Sequence, residues 1–248
     1  MIDPAELEAN ELEFLRRHRS AVAELGFGTL YVSSDPDALS WNFLTNVNAS
    51  DGQLDLAGAI FRDWHRRPCI KVTPSSKPAD LATRLESRGW RVGLSLTHMV
   101  FDGRDGRRSA DITVRLCRTD EDIAIFSDVQ SRGFGAPEWV HWVHKINLIN
   151  SRDPDQHFYL AERNGRPAGV CLLLTASLVG GLYAVATLPE ERGHGVAAAL
   201  LARAIEHSVH SGNRVTVLNT ATGGDAERVF VRLGFQAVFD SRFYTPAS

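Results

Sequence analysis

The sequence predicts an α/β fold, with an α+β type of mixed sheet that is flanked by helices. Two apolar runs, His157–Glu162 and Pro167–Leu174, surround Asn164-Gly165, a dipeptide typical of tight hairpin turns. A third apolar run, Gly181–Leu188, leads through a glycine-spaced turn into an Ala- and Leu-rich helical run. An antiparallel hairpin followed by a strand-turn-helix unit indicates a mixed sheet with helices on its faces.

The other elements of the C-terminal part follow from the same periodicities. Thr119-Asp-Glu-Asp122 has the pattern of a capping box and predicts a helix start. The predicted elements are a strand Thr113–Cys117, helices Ile123–Ser131, Trp139–Leu148 and Ala197–His210, a strand Arg214–Asn219 and a last helix from Ala226 to Leu233.

A charged, glycine-rich segment, 101–110, predicts a boundary between domains at 1–104 and 111–248. The first domain is predicted to contain helices Glu6–Leu25, Leu54–His65 and Pro78–Arg88 and strands Thr29–Val32, Cys69–Val72 and Arg91–Phe101. Leu81–Trp90 and Ala226–Phe235 are both amphipathic runs that end in glycine and an aromatic residue. We interpret them as parts of a degenerate internal repeat; an unrelated α+β domain is the alternative.

Composition excludes several functions. The chain has 44% hydrophobic and 23% charged residues and a net charge of −3, typical of an ordinary globular protein and without the basic stripe of a nucleic-acid-binding surface. No apolar window has the length of a membrane span, and the first residues lack the apolar core of a secretory signal. Cys69, Cys117 and Cys171 are scattered, which favours buried reduced thiols. We therefore expect a cytoplasmic protein, a monomer or homodimer without membrane or nucleic-acid partners.

The segment Leu182–Ala198 is the most informative of the chain. It predicts a strand, a tight turn and the first turn of a helix, whose unpaired N–H groups and positive dipole end suit an anion. Gly193 and Gly195 have no Cβ, so phosphate oxygens can approach the main chain closely. The glycines fit the fingerprint of a dinucleotide-binding fold poorly. In that fold the glycines follow the strand directly, whereas Pro189–Arg192 intervenes here, and the next strand ends at Asn219 instead of an acidic residue. The predicted ligand is a pyrophosphate.

Arg192-x-x-Gly195-x-Ala197 resembles the acyl-CoA loop of the GCN5-related N-acetyltransferase (GNAT) superfamily. The strand before it and the Leu233-Gly234-Phe235 ending of the last helix also resemble that superfamily, over roughly residues 111–245. The resemblance implies a C-terminal GNAT acyltransferase fold preceded by a smaller, degenerate GNAT-like unit. The first unit has no Arg-x-x-Gly-x-Ala loop: Leu56–Ala59 lies where such a loop could be, without an adjacent arginine, so we expect no acyl-CoA site there.

The resemblance also implies an activity and a cofactor site. We expect an N-acetyltransferase that moves the acetyl group of acetyl-CoA directly to a primary amine of a small molecule. The expected acetyl-CoA contacts are main-chain groups, with the Arg192 side chain adding charge and His194 contributing only its backbone. They are assigned to Val185, Ala186, Thr187 and Leu188 in the strand, to Arg192, Gly193, His194, Gly195, Val196 and Ala197 in the loop, and to Asn219 after the next strand.

The resemblance leaves the proton-transferring groups open. Many family members have a tyrosine where this chain has Phe230, so Tyr183, Tyr244, a threonine or water is the alternative proton donor. Glu138 is the leading general-base candidate, with His141 one turn later. Two other functions remain: an acyl-CoA-binding regulatory protein without turnover, and acetylation of a protein lysine or N-terminus. No metal site is predicted.

Overall fold

A computed structural model describes residues 2–18, 21–33, 38–103 and 111–247. The chain divides into two compact units. The first contains Met1–His98, Thr220–Glu227 and Val238–Ser248, and the second contains Met99–Asn219 and Arg228–Ala237. Four of the described elements cross these bounds, and each is given below with the unit that holds most of its residues. Most of the predicted linker, 104–110, lies outside the described residues, so the domain bounds at 1–104 and 111–248 stay a prediction.

The first unit combines three helices with a sheet. Its elements are α1 Pro4–His18, β1 Ala21–Leu25, β2 Gly28–Val32, β3 Phe43–Thr45, α2 Asp51–Asp63, β4 Ile70–Val72, α3 Leu81–Ser87, β5 Trp90–Phe101 and, from the end of the chain, β11 Phe235–Pro246. Its strands follow the order β1-β2-β3-β4-β11-β5.

The second unit carries the predicted transferase elements. They are β6 Ile112–Leu116, α4 Asp120–Gly133, a 3-10 turn Pro137–Trp139, α5 Val140–Asn150, β7 Gln156–Arg163, β8 Arg166–Leu174, β9 Val179–Thr187, a 3-10 turn Pro189–Glu191, α6 Val196–His210, β10 Val215–Ala221 and α7 Asp225–Arg232. The strands follow the order β10-β9-β8-β7-β6. β9 and β10 run parallel, whereas β8 pairs antiparallel with both β7 and β9.

Two local signals in this unit correctly predicted structure. Asp122 N donates to Thr119 Oγ1 at 3.1 Å and Thr119 N donates to Asp122 Oδ2 at 3.1 Å, so the capping box starts α4. Asn164 and Gly165 both have positive φ, 52° and 73°, as a type I′ hairpin turn requires.

The predicted helix Glu6–Leu25 was wrong in its second half. α1 ends at His18, after a last turn that contains basic residues, and Ala21–Leu25 forms β1. β1 pairs with β2 up to Leu25↔Gly28 across a tight turn. The spacing of Val22 and Leu25 fitted a helix, but pairing with the neighbouring strand decides the conformation.

The two units repeat one pairing pattern. In the first unit β1–β2 and β2–β3 are antiparallel and β3–β4 is parallel, and in the second unit β7–β8 and β8–β9 are antiparallel and β9–β10 is parallel. A helix, α2 or α6, connects each parallel pair. The common order supports the internal repeat. Leu56–Ala59, where a loop of the first unit could lie, is part of α2, and the absence of an acyl-CoA site there stays a prediction.

The core of the second unit holds α6 against the sheet. Val196, Leu200 and Ala204 are buried in it. Close contact requires a glycine on β8: a Cβ built on Gly169 would lie 2.6 Å from Val196 Cγ1 and 2.9 Å from the Ala186 carbonyl oxygen. Gly169 therefore brings the first turn of α6 and the end of β9 together.

Candidate functional site

The predicted strand of the site, β9, separates from β10 before it ends. The ladder between them runs from Val215↔Val179 to Leu218↔Leu182. Pairing of β9 with β8 continues as far as Gly169↔Thr187. The last residues of β9 therefore lie beyond the last register pair with β10, as expected for the splayed strand of the acyl-CoA site.

An irregularity interrupts β9 where the site is expected. Val170 pairs with Ala186 and Leu172 pairs with Tyr183, so two residues of β9, Ala184 and Val185, stand opposite one residue of β8. Ala184 has a φ of 50°, which alanine rarely adopts. A β-bulge of this kind redirects backbone groups away from the regular ladder. The bulge includes Val185, one of the residues to which an acetyl-CoA contact is assigned.

The turn after β9 presents an open helix N-terminus. Gly195 is the N-cap of α6 with a φ of 84°, and Gly193 has a φ of 81°. Among the described residues, no side chain caps the start of α6, and its first turn contains no acidic residue. Residues 192–195 are exposed, whereas Val196 is buried. The first N–H groups of α6 and its dipole are therefore available to an anion.

The corresponding helix of the first unit has a closed N-terminus. Ser50 precedes α2, and its N and Oγ donate to Gln53 Oε1 at 2.8 and 3.0 Å. Asp51 places a carboxylate in the first turn. The negative charge of Asp51 disfavours an anion at α2.

The Arg192 side chain has a contact that the sequence did not predict. Its Nη2 donates to the carbonyl oxygen of Gly133, the last residue of α4, at 3.0 Å. Nearby, Arg132 Nη2 donates to Glu190 Oε1 at 2.8 Å. The start of the predicted CoA loop is thus bonded to the end of α4.

The candidate proton-transferring residues lie in different elements. Glu138 is exposed in the 3-10 turn before α5, and Tyr183 is buried in β9. Phe230 of α7 is also buried, with its ring centroid 6.0 Å from that of Phe235, so an apolar ring occupies that position. Tyr244 lies in the first unit and donates from its hydroxyl to Glu86 at 3.0 Å.

Two further predicted features can be located. Asn219 lies inside β10, which ends at Ala221, and not after the strand. All three cysteines are free thiols; Cys69 and Cys171 are buried and Cys117 is half-buried. Burial raises the pKa of each thiol, for Cys117 to about 12. The thiols are therefore protonated near neutral pH and poor nucleophiles.

Sequence reasoning missed a cleft of about 540 Å³ between α4 and the turn after β9. Its lining combines apolar and charged side chains, including Ile125, Val129, Leu188, Arg166 and Glu190. These residues come from three separate segments, and each segment alone has an ordinary amphipathic pattern. No local sequence signal therefore indicates the cleft.

The described ranges contain no group of three or more His, Cys, Asp or Glu side chains that could hold a metal ion. Among the helices of the described residues, none is both long enough and apolar enough to cross a membrane.

This chain is similar to proteins of the GNAT acetyltransferase family. The model of the family described as "Acetyltransferase (GNAT) family" matches residues 124–235. A GCN5-related N-acetyltransferase from Kribbella flavida superposes with a TM-score of 0.74 at 17% identity, covering 100% of this chain and 97% of that one. A tandem GNAT protein from the clavulanic acid biosynthesis pathway superposes with a TM-score of 0.65 at 17% identity, covering 96% and 88%. The chain therefore has the fold of two-unit GNAT proteins.

One curated protein is similar to part of this chain in sequence. An aminoalkylphosphonate N-acetyltransferase from Salmonella typhimurium is 33% identical over 94 residues, covering 35% of this chain. The match spans 61% of the length of that curated relative. With the family match, it supports a GNAT acetyltransferase domain at residues 124–235.

Proposed function

We propose that the protein is an acetyl-CoA-dependent N-acetyltransferase that acts on a primary amine of a small molecule by direct transfer. The observation that carries this proposal is the uncapped start of α6, which directly follows the bulged end of β9. The amides of residues 192–197 would bind the pyrophosphate, and Val185–Leu188 would line the pantetheine arm. GNAT-family membership of this segment supports acetyl-CoA as the donor.

The reaction forms one C–N bond and breaks one C–S bond. The neutral amine attacks the thioester carbonyl, and a main-chain N–H near Val185 or Ala186 stabilises the developing oxyanion. The thiolate then leaves as CoA, and the amine loses one proton. Because Cys69, Cys117 and Cys171 are held as protonated thiols, the direct route is favoured over an acyl-cysteine intermediate.

Two residues are assigned to the proton transfers. Tyr183 would protonate the leaving thiolate, since it lies in β9 next to the bulge and Phe230 has no hydroxyl. A free thiol has a pKa of about 8.5, so this proton transfer contributes little near neutral pH. Glu138, on the segment after α4, would accept the amine proton directly or through water.

The proposed acceptor, a small primary amine, is inferred from the reaction and from one relative. An amine is needed as nucleophile, and the relative from Salmonella typhimurium is an N-acetyltransferase of aminoalkylphosphonates. This supports a small primary amine as acceptor.

A thermal-shift titration tests the cofactor site. Acetyl-CoA at a hundred times its Kd should stabilise the protein by about 2.7 kcal/mol, whereas NAD should have no effect. The Gly193→Asp variant should lose the shift, because its carboxylate repels the pyrophosphate. Gly212→Asp is a matched control and should keep the shift, because Gly212 follows the other end of α6. Gly193 and Gly212 have φ values of 81° and 82°, and both have open space around a built Cβ. No shift with any CoA would refute the proposal.

A second candidate function is acyl-CoA binding without turnover. The buried Phe230 and the exposed position of Glu138 favour it, because neither arrangement holds a proton-transferring group in a prepared pocket. This function predicts a shift with acetyl-CoA and no release of CoA thiol with a panel of amines. Thiol release that depends on an amine would exclude it.

A further inference from the structure

The end of α4 is packed unusually closely against the end of β9. A Cβ built on Gly133 would lie 2.8 Å from Ala186 Cβ and 3.4 Å from the Thr187 nitrogen. Gly133 is buried, and α4 ends at this residue. A side chain at Gly133 would therefore push the helix end away from the strand that leads into the CoA loop.

The Arg192 guanidinium, in the turn after β9, contacts the same end of α4. It donates to the Gly133 carbonyl at 3.0 Å, and this carbonyl is one of the last four of α4, which lack partners within the helix. A positive charge at a helix C-terminus also interacts favourably with the helix dipole. Arg192 thus occupies a position where both its hydrogen bond and its charge are stabilising.

A neighbouring ion pair adds a weaker connection. Arg132 contacts Glu190 at 2.8 Å and Asp128 at 3.2 Å. The Arg132 and Glu190 side chains are 44% and 56% exposed, so water screens their attraction. The main connection is the bond from Arg192 to Gly133.

The end of α4 is in turn bonded to the segment that carries Glu138. Phe134 N donates to Gln130 O at 3.0 Å, and Ala136 N donates to Ser131 O at 2.9 Å. Gly135, with a φ of 74°, donates to Arg132 O at 3.0 Å and closes the helix end. A change in the last turn of α4 is therefore transmitted to residues 134–138 through main-chain hydrogen bonds.

We propose that Arg192 and Gly133 form a latch through which occupation of the CoA loop orders residues 134–139. This inference rests on the proposed function and names Arg192 as a positioning residue of the acceptor side. A pyrophosphate on the amides of 193–197 restricts the loop, the loop fixes the Arg192 guanidinium, and the guanidinium fixes the end of α4. The acceptor segment and its Glu138 are then held more tightly when the acyl donor is bound.

Hydrogen exchange with free CoA as the probe tests the latch in the full chain. Saturating CoA should slow amide exchange in residues 192–198. Through the latch it should also slow amide exchange in residues 134–139, by about fivefold or more, as is typical of coupling between two sites. In the Arg192→Leu variant, CoA at a concentration that saturates the variant should still slow amide exchange in residues 192–198. It should leave the exchange rates of residues 134–139 unchanged. Arg192→Gln, which retains an N–H donor for the Gly133 carbonyl, should restore part of the effect.

The control is Arg203→Leu, which removes another arginine of the second unit, one that pairs with Glu206 on α6 at 2.9 Å; coupling should remain as in the wild type. Protection of 192–198 without protection of 134–139 in the wild type would overturn the latch and leave the proposed function standing. The same would follow from unchanged coupling in Arg192→Leu. No protection of 192–198 in the wild type would overturn the proposed function and the latch with it. If Arg192→Leu does not bind CoA, Arg192→Gln takes its place: coupling weaker than in the wild type supports the latch, and unchanged coupling overturns it.

Discussion

At the scale of single residues, the close surroundings of Gly169 leave no room for a side chain. A Cβ on Gly169 would approach Val196 Cγ1 to 2.6 Å and the Ala186 oxygen to 2.9 Å. Because the backbone contact cannot move freely, Gly169→Ala should destabilise the protein by about 1–3 kcal/mol in urea unfolding. It should also weaken acetyl-CoA binding, since it displaces the first turn of α6.

Gly58→Ala provides a control of opposite sign for that prediction. Gly58 lies inside α2, and its built Cβ meets only the end of the Arg62 side chain at 3.4 Å. Alanine should therefore stabilise the helix by about 0.5–1 kcal/mol. Equal effects of the two substitutions would show that helix or strand propensity, and not the contact with α6, determines the result.

A second residue, His98, predicts a pH dependence of stability. Burial lowers its pKa to about 4, and its Nε2 lies 2.9 Å from Ser241 Oγ. The unfolded chain binds the proton at about pH 6.5, so folding is penalised as the pH falls from about 6.5 towards 4, and stability rises with pH across this window. His98→Asn should flatten the curve of unfolding free energy against pH there. A slope that is the same in His98→Asn and in the wild type would contradict this explanation.

At the scale of elements, α1 is joined to β4 by a buried ion pair. Lys71 Nζ bonds Glu11 Oε2, with side-chain exposures of only 1% and 8%. Removing one partner leaves a buried charge and should cost about 3–5 kcal/mol, as in Lys71→Met or Glu11→Leu. The double variant should be much less destabilised than the sum of the two. Additive losses in chemical denaturation would contradict this explanation.

Elements also show what the sequence could predict. The capping box at Thr119 and the turn at Asn164-Gly165 act within a few residues, so their patterns correctly indicated α4 and the β7–β8 hairpin. β1 was taken for helix because its conformation depends on pairing with β2. The open N-terminus of α6 is also local, and its glycines indicated it. The bond from Arg192 to Gly133 joins residues 59 apart in sequence, and no local pattern reveals such a contact.

At the scale of the whole molecule, two units share a pairing pattern but differ at the helix that follows the third strand of the repeat. α6 begins at the left-handed Gly195 without a side-chain cap, whereas α2 follows Ser50, is capped with Gln53 and carries Asp51 in its first turn. A helix N-terminus whose first turn is negative has little affinity for a phosphate. Calorimetric titration with acetyl-CoA should therefore give one site per chain. Gly193→Asp should abolish all binding, because no second site remains to be titrated; a stoichiometry of two, or residual binding in that variant, would show that the first unit has kept a cofactor site.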